Sequence, residues 1–99
     1  MMTWRFHDLA IEELDEALAY FASIDPELAY AFEAHVMATV GRICQNPALF
    51  NLRRKSTRRA NLRPRFGEYY LPYEVKEDHV FILAVAHAKR QPNYWLSRR

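Results

Sequence analysis

Apolar residues change their spacing twice along this chain. In TWRFH (3–7), Trp4 and Phe6 alternate with Thr3, Arg5 and His7, which predicts a short strand with one buried face. From Asp8 the repeat lengthens. Ile11, Leu14, Leu18 and Phe21 recur every three or four positions with Ala10 and Ala17 alongside, predicting a helix to about Ala22 with Asp8 as its N-cap. The other face carries Glu12, Glu13, Asp15 and Glu16 and is expected to be solvated, with Glu12 and Glu13 near the positive helix end. Ser23–Ile24–Asp25–Pro26 breaks the repeat and restarts it, Asp25 capping and Pro26 taking the first helical position. The second helix is expected over Pro26–Gln45, with Leu28 or Ala29, Phe32, Val36, Val40 and Ile43 as its stripe, until Asn46–Pro47 stops it. So short a link folds the two helices into an antiparallel hairpin. Gly41 costs the second helix about 1 kcal/mol of propensity, and the expected return is the close approach of a neighbour.

After a loop over 48–56 the period returns to two. Residues 59–63 alternate weakly, EYYLPYEV (68–75) is aromatic and β-prone, and His79–His87 is nearly continuous in apolar residues. Lys76–Glu77–Asp78 reads as a tight hairpin loop between the last two. VFILAVA suits a central strand buried on both faces. Pro72 lacks an N–H, so it requires a bulge or a position without a ladder partner. The order β-α-α-β-β-β describes an α+β fold: an N-terminal strand, a helical hairpin, and a three-stranded antiparallel meander forming one antiparallel sheet on the hairpin.

Composition narrows the class. Ninety-nine residues, 51% hydrophobic and with two glycines, support one domain over 1–99 with its own core. No apolar stretch is long enough for a membrane span, and MMTWRFHDLA lacks the layout of a signal peptide. The single cysteine, Cys44, falls in an apolar-periodic segment and is expected to be a buried thiol, so a reduced, cytoplasmic protein is expected. The net charge of +2 conceals a split: residues 1–50 hold two basic and eight acidic side chains, residues 51–99 twelve basic and four acidic. A basic half attracts polyanions or an acidic partner, or is neutralised by the acidic half within the fold.

Conventional sites are missing from the pattern. His7, His35, His79 and His87 show no metal-ligand spacing, no cysteine pair supports zinc, and Gly41 and Gly67 stand alone rather than in a phosphate loop. No metal, cofactor or small-molecule substrate is expected. The remaining candidates are cationic. Arg53, Arg54, Lys55, Arg58 and Arg59 cluster, and alternation in an extended strand would bring Arg59, Arg63 and Arg65 to one face. Lys89 and Arg90, at the end of the last strand, would join them in a concave basic face suited to phosphate contact and base stacking. His87 has two readings, a hydrogen-bonded anchor or an acid. Tyr94 and Trp95 are expected to pack the C-terminus onto the core.

Two segments carry a family likeness. Asp25–Pro26, Leu28–Ala29, Phe32, Ile43 and Asn46–Pro47 resemble the P-x-LA-x-x-F and later NP of the ParE/RelE superfamily of bacterial toxins. RFGEYYLPYEVKEDHVFILAVAHAKRQPNYW resembles its closing segment, with His87, Arg90, Pro92, Tyr94 and Trp95 on H-x-x-R-x-P-x-Y-W. The likeness runs from about Phe6 to Trp95. It implies the toxin of a type II toxin–antitoxin module (a plasmid stabilisation protein) held by a cognate antitoxin. ParE-like members act on DNA gyrase. RelE-like members cleave mRNA on the ribosome, for which Arg63, Arg65 and Arg90 would be phosphate clamps and His87 or Tyr94 the acid. An inactive member kept for antitoxin binding is the third reading. The long hairpin, LA-x-x-F and the Pro-x-Tyr-Trp ending resemble the ParE branch more closely. In that branch Arg58, Arg59, Arg63, Arg65, Lys89 and Arg90 would meet the target or the antitoxin.

Overall fold

The computed structural model describes residues 1–54 and 56–99, with the backbone alone at Arg54. Strand β1 is Thr3–Phe6, helix α1 Asp8–Ile24 and helix α2 Pro26–Gln45. Strands β2 (Leu52–Arg54), β3 (Thr57–Asn61), β4 (Tyr69–Val75), β5 (His79–Ile82) and β6 (Ala86–His87) follow, and a 3₁₀ helix, Tyr94–Arg98, closes the chain. The expected α+β order holds, with β2 added inside the predicted 48–56 loop.

The helix starts follow side-chain capping. At α2 the Asp25 carboxylate accepts the Glu27 N–H at 3.0 Å, with Pro26 in the first turn as predicted. At α1 the cap is His7 rather than Asp8: its Nδ1 accepts the Leu9 N–H at 3.0 Å, and Asp8 lies within the first turn. That helix also runs two residues past Ala22. Ile11, predicted in the buried stripe, is 47% exposed; Ala10, Ala17 and Phe21 form the buried line instead.

The sheet is mixed, not wholly antiparallel. Its order is β1-β5-β4-β3-β2, with β6 on β4, and β1 lies parallel to β5, Thr3 opposite His79 and Phe6 opposite Ile82. The hairpin loop is as predicted, closed by the Lys76 N–H on the His79 carbonyl at 2.8 Å. The apolar run 79–87 does not stay one strand. Tyr73 pairs with Ile82 and Tyr70 with Ala86, so three residues, 83–85, face only Leu71 and Pro72. Pro72 turns its carbonyl toward β5, where it accepts the Leu83 N–H at 2.9 Å, and it has no N–H to return. The extra residue is therefore accommodated opposite proline, so of the two arrangements open to Pro72 the chain uses the bulge.

One face of the sheet packs on the hairpin. Phe32, Val36, Val40 and Ile43 of α2 meet Ala60, Leu62, Leu71, Tyr73, Val80 and Ile82. The aromatic centre is Phe32, whose ring lies 4.9 Å from those of Phe21 and Tyr69 and 5.0 Å from Phe66. On the opposite face Tyr70, Phe81, Ala86 and Trp95 form a second cluster. Sheet residues buried on both sides explain the uninterrupted hydrophobicity of VFILAVA. Cys44 is a buried free thiol, as expected. Gly41 is not at a close approach: a methyl group there would meet nothing within 4 Å.

Candidate functional site

The C-terminal segment is held by one carboxylate of the first helix. Asn93, in the left-handed region at φ 65°, turns the chain into the 3₁₀ helix. That turn seats Trp95 (2% exposed) under the sheet, with its indole N–H on the Tyr70 hydroxyl at 3.2 Å. The expected pinning of the tail is therefore real. From the same segment Arg98 reaches Glu13 with two N–H groups at 2.9 and 3.0 Å, and also the Leu83 carbonyl. The Glu13 side chain is 9% exposed and that of Arg98 10%. Glu13 further accepts the Val85 N–H at 3.1 Å, the Tyr94 hydroxyl at 2.8 Å and Arg90 at 3.0 Å.

This corrects the reading of α1's acidic face as wholly solvated. Glu13 lies three residues after Ala10 and four before Ala17, on the buried line, and two small neighbours leave room for a carboxylate there. It accepts a backbone N–H of the bulged segment and compensates a nearly buried guanidinium. The arrangement also determines the state of Tyr94. Burial, then the hydrogen bond to Glu13 and its negative charge, push the phenol far above its ordinary pKa, against the opposing charges of Arg90 and Arg98. Its proton is committed to Glu13. The Arg90 guanidinium also stacks on the Tyr94 ring, 3.8 Å from its centre.

His87 sits beside this network in an anchoring geometry. The Lys89 N–H points at its Nδ1 at 3.0 Å, making that nitrogen the acceptor and leaving Nε2 to face the Glu68 carboxylate at 3.3 Å. Its ring meets Tyr69 edge-on at 4.8 Å. Together with Glu13, Tyr20 and Arg90, it lines a shallow hollow of about 210 Å³.

The arginines of the basic half lie elsewhere. A cavity of about 310 Å³ at the β2–β3 edge is lined by Arg42, Arg53, Arg59 and Arg63, with Leu49, Phe50, Asn51 and Asn61. The Arg59 guanidinium lies 3.7 Å from the centre of the Tyr70 ring, and its Nε–H donates to Asn61 Oδ1 at 3.0 Å. Arg42, from the last turn of α2, rests on Phe50 at 5.5 Å. Arg58, one residue out of phase, ties β3 to the Phe50 carbonyl at 2.7 Å. Strand β3 ends at Asn61, so the alternation expected to carry Arg65 along stops. Arg65 stacks on Phe66 instead, and it lines neither cavity. Lys89 is exposed and also lines neither. The single concave face expected from the sequence is thus two separate sites, with Arg59 and Arg63 in one and Arg90 in the other. Lys55 and the side chain of Arg54, part of the expected cluster, lie outside the described residues.

Sequence reasoning missed Glu13, Arg98 and Arg42. The Ala10–Glu13–Ala17 spacing was a usable signal for the first. Nothing in the helical pattern marks Arg42, which rests on Phe50 and shares a cavity wall with Arg59 and Arg63.

A third depression, of about 630 Å³, runs beside β1 and is lined by Trp4, Arg5, Phe6, Asp8, Ile11, Leu14 and Met37. Among the described residues no helix is long and apolar enough to cross a membrane.

Comparison with known proteins places the chain in a family. The family model described as ParE toxin of type II toxin-antitoxin system, parDE, matches residues 4–92, from β1 to just before the closing 3₁₀ helix. Two proteins named Toxin ParE2, from Mycobacterium tuberculosis strains CDC 1551 / Oshkosh and ATCC 25618 / H37Rv, are each 33% identical over 90 residues, covering 90% of this chain and 84% of theirs. On the extent of these matches, the chain belongs to the ParE family of toxins of type II toxin–antitoxin systems.

Proposed function

We propose that this chain inhibits growth in the cytoplasm by acting on DNA gyrase, not by cutting RNA, and that a cognate antitoxin neutralises it. The observation that carries this reading is the Glu13 network. A ribonuclease of the related branch needs cations on the developing phosphorane charge and an acid for the leaving oxygen. Here the Tyr94 proton is committed to Glu13, Arg90 is paired with the same carboxylate, and Arg63 belongs to a different cavity from His87. Gyrase follows from the resemblance to the ParE branch. For the antitoxin, the supporting feature is the cleft between edge strand β1 and α1, where Trp4 of the strand and Ile11 of the helix are each 47% exposed.

The test is expression without any antitoxin, with gyrase supercoiling and the DNA-damage response scored against cleavage of translated mRNA. Inhibited supercoiling with intact mRNA is expected, unchanged in a His87→Gln variant. Rapid mRNA cleavage that His87→Gln abolishes, with supercoiling untouched, would establish the nuclease reading instead. An absence of any growth effect would point to an inactive, antitoxin-binding member.

A further inference from the structure

We infer that the cavity formed by Arg42, Arg53, Arg59 and Arg63 is a phosphate-binding site, through which the protein holds the backbone of a nucleic acid. The inference goes beyond the gyrase reading and does not depend on it. Its first support is how the chain distributes its own carboxylates. Arg90 and Arg98 lie on Glu13, Arg99 on Glu74, and Lys76 on Glu74. Among the described residues, no carboxylate stands within ion-pair distance of Arg42, Arg53, Arg59 or Arg63. Four arginines lining a cavity of about 310 Å³ concentrate positive charge that a bound anion would offset.

The second support is that the cations are positioned before any ligand arrives. Tyr70 backs the plane of Arg59 while Asn61 takes its Nε–H, which leaves the two terminal amino groups as a fork with no partner among the described residues. Arg42 rests more loosely on Phe50, 5.5 Å from its ring centre. A planar fork like that of Arg59 matches the oxygens of a phosphate with two parallel N–H donors. Asn51 and Asn61 add carboxamide groups at the wall. Phosphate suits the cavity better than a carboxylate side chain: it offers more oxygens to a lining with four arginines, and a polymer repeats the charge along an open strand edge. A free nucleotide carries the same chemistry, so the two sources need separate measurements.

Binding of purified protein to a fluorescent single-stranded oligothymidylate is followed by anisotropy over a range of salt. Competitors are the unlabelled oligothymidylate, thymidine 5′-monophosphate, inorganic phosphate and an oligoglutamate peptide. Arg53 and Arg63 are exposed and make no side-chain hydrogen bond among the described residues, so the Arg53→Gln/Arg63→Gln double variant leaves the fold intact. It is expected to lose about tenfold or more in affinity. The slope of log K against log salt should flatten by about 1.4, or about 0.7 for each single-strand phosphate that is no longer neutralised. Arg65→Gln/Lys89→Gln removes the same charge outside the cavity and should lose less than about threefold. Competition by the polymer alone assigns the backbone as ligand; equal competition by the mononucleotide assigns a nucleotide-sized phosphate ligand to the same residues. The inference is overturned if the oligothymidylate does not bind, if both double variants lose affinity alike, or if oligoglutamate competes as well as the oligonucleotide. None of these outcomes bears on supercoiling or mRNA cleavage, so this inference and the gyrase reading fail independently.

Discussion

Replacing Glu13 by glutamine keeps the shape of the side chain and removes its charge. In the folded protein this leaves the Arg98 guanidinium, 10% exposed, with no opposite charge beside it: of the two carboxylate oxygens it used, one becomes an amide nitrogen, and the Leu83 carbonyl still accepts. The new amide nitrogen would also point donors at a donor. Removing one partner of a buried pair costs about 3–5 kcal/mol, because the other charge stays desolvated. Arg90 is half exposed and adds little. The amide oxygen can still accept from Val85 or Tyr94. About 3 kcal/mol is therefore expected, a fall in Tm of about 12–24 °C for a domain of this size. Thermal and urea unfolding would measure it, with Glu12→Gln on the solvated face as control. A double-mutant cycle with Arg98→Met should return a coupling of about 2 kcal/mol or more. A loss below about 1 kcal/mol, no larger than in the control, would refute the view that this carboxylate holds the C-terminal segment.

Other changes have equally definite signs. Gly41→Ala should stabilise by about 1 kcal/mol in urea unfolding, since a helical glycine here gains a methyl group that meets nothing within 4 Å. Phe32→Ala should cost about 3–5 kcal/mol, as it empties the fully buried meeting point of Phe21, Phe66 and Tyr69. Burial pushes the Glu74 carboxyl up, but hydrogen bonds from Lys76, Ser56 and Thr57 and the Lys76 charge outweigh it, so its pKa lies below the ordinary value of 4.5. Its stabilisation is therefore complete above that value and lost as pH falls through the folded pKa. Acid unfolding followed by circular dichroism should be steeper below about pH 4.5 in the native chain than in Glu74→Gln.

Elements and their order were readable because periodicity is a local property. The Asp25–Pro26 start and the Lys76–Asp78 turn depend on neighbours within a few residues, and each appears where the sequence places it. Which of two arrangements Pro72 takes depends instead on residues 83–85 across the sheet. Candidate sites were less readable. Strand alternation puts Arg59, Arg63 and Arg65 on one face only if the strand continues, but β3 stops at Asn61: Arg59 and Arg63 still line one cavity, and Arg65 leaves them. His87 was legible as an anchor or an acid, and the hydrogen bond from the next turn favours the anchor.

By itself, then, the sequence determined the two helices, the α+β order, the both-sides-buried central strands and the segregation of charge between its halves. Tertiary structure decided what that charge does. Glu13 and Arg98 are separated by 85 positions, and no local pattern relates them; only docking the C-terminal 3₁₀ helix brings the pair together, and with it the fate of Tyr94 and Arg90. The parallel pairing of β1 with β5 and the placement of Arg42 beside Arg59 have the same origin. Long-range pairing places side chains by the path of the whole chain, whereas periodicity records only which face each residue presents.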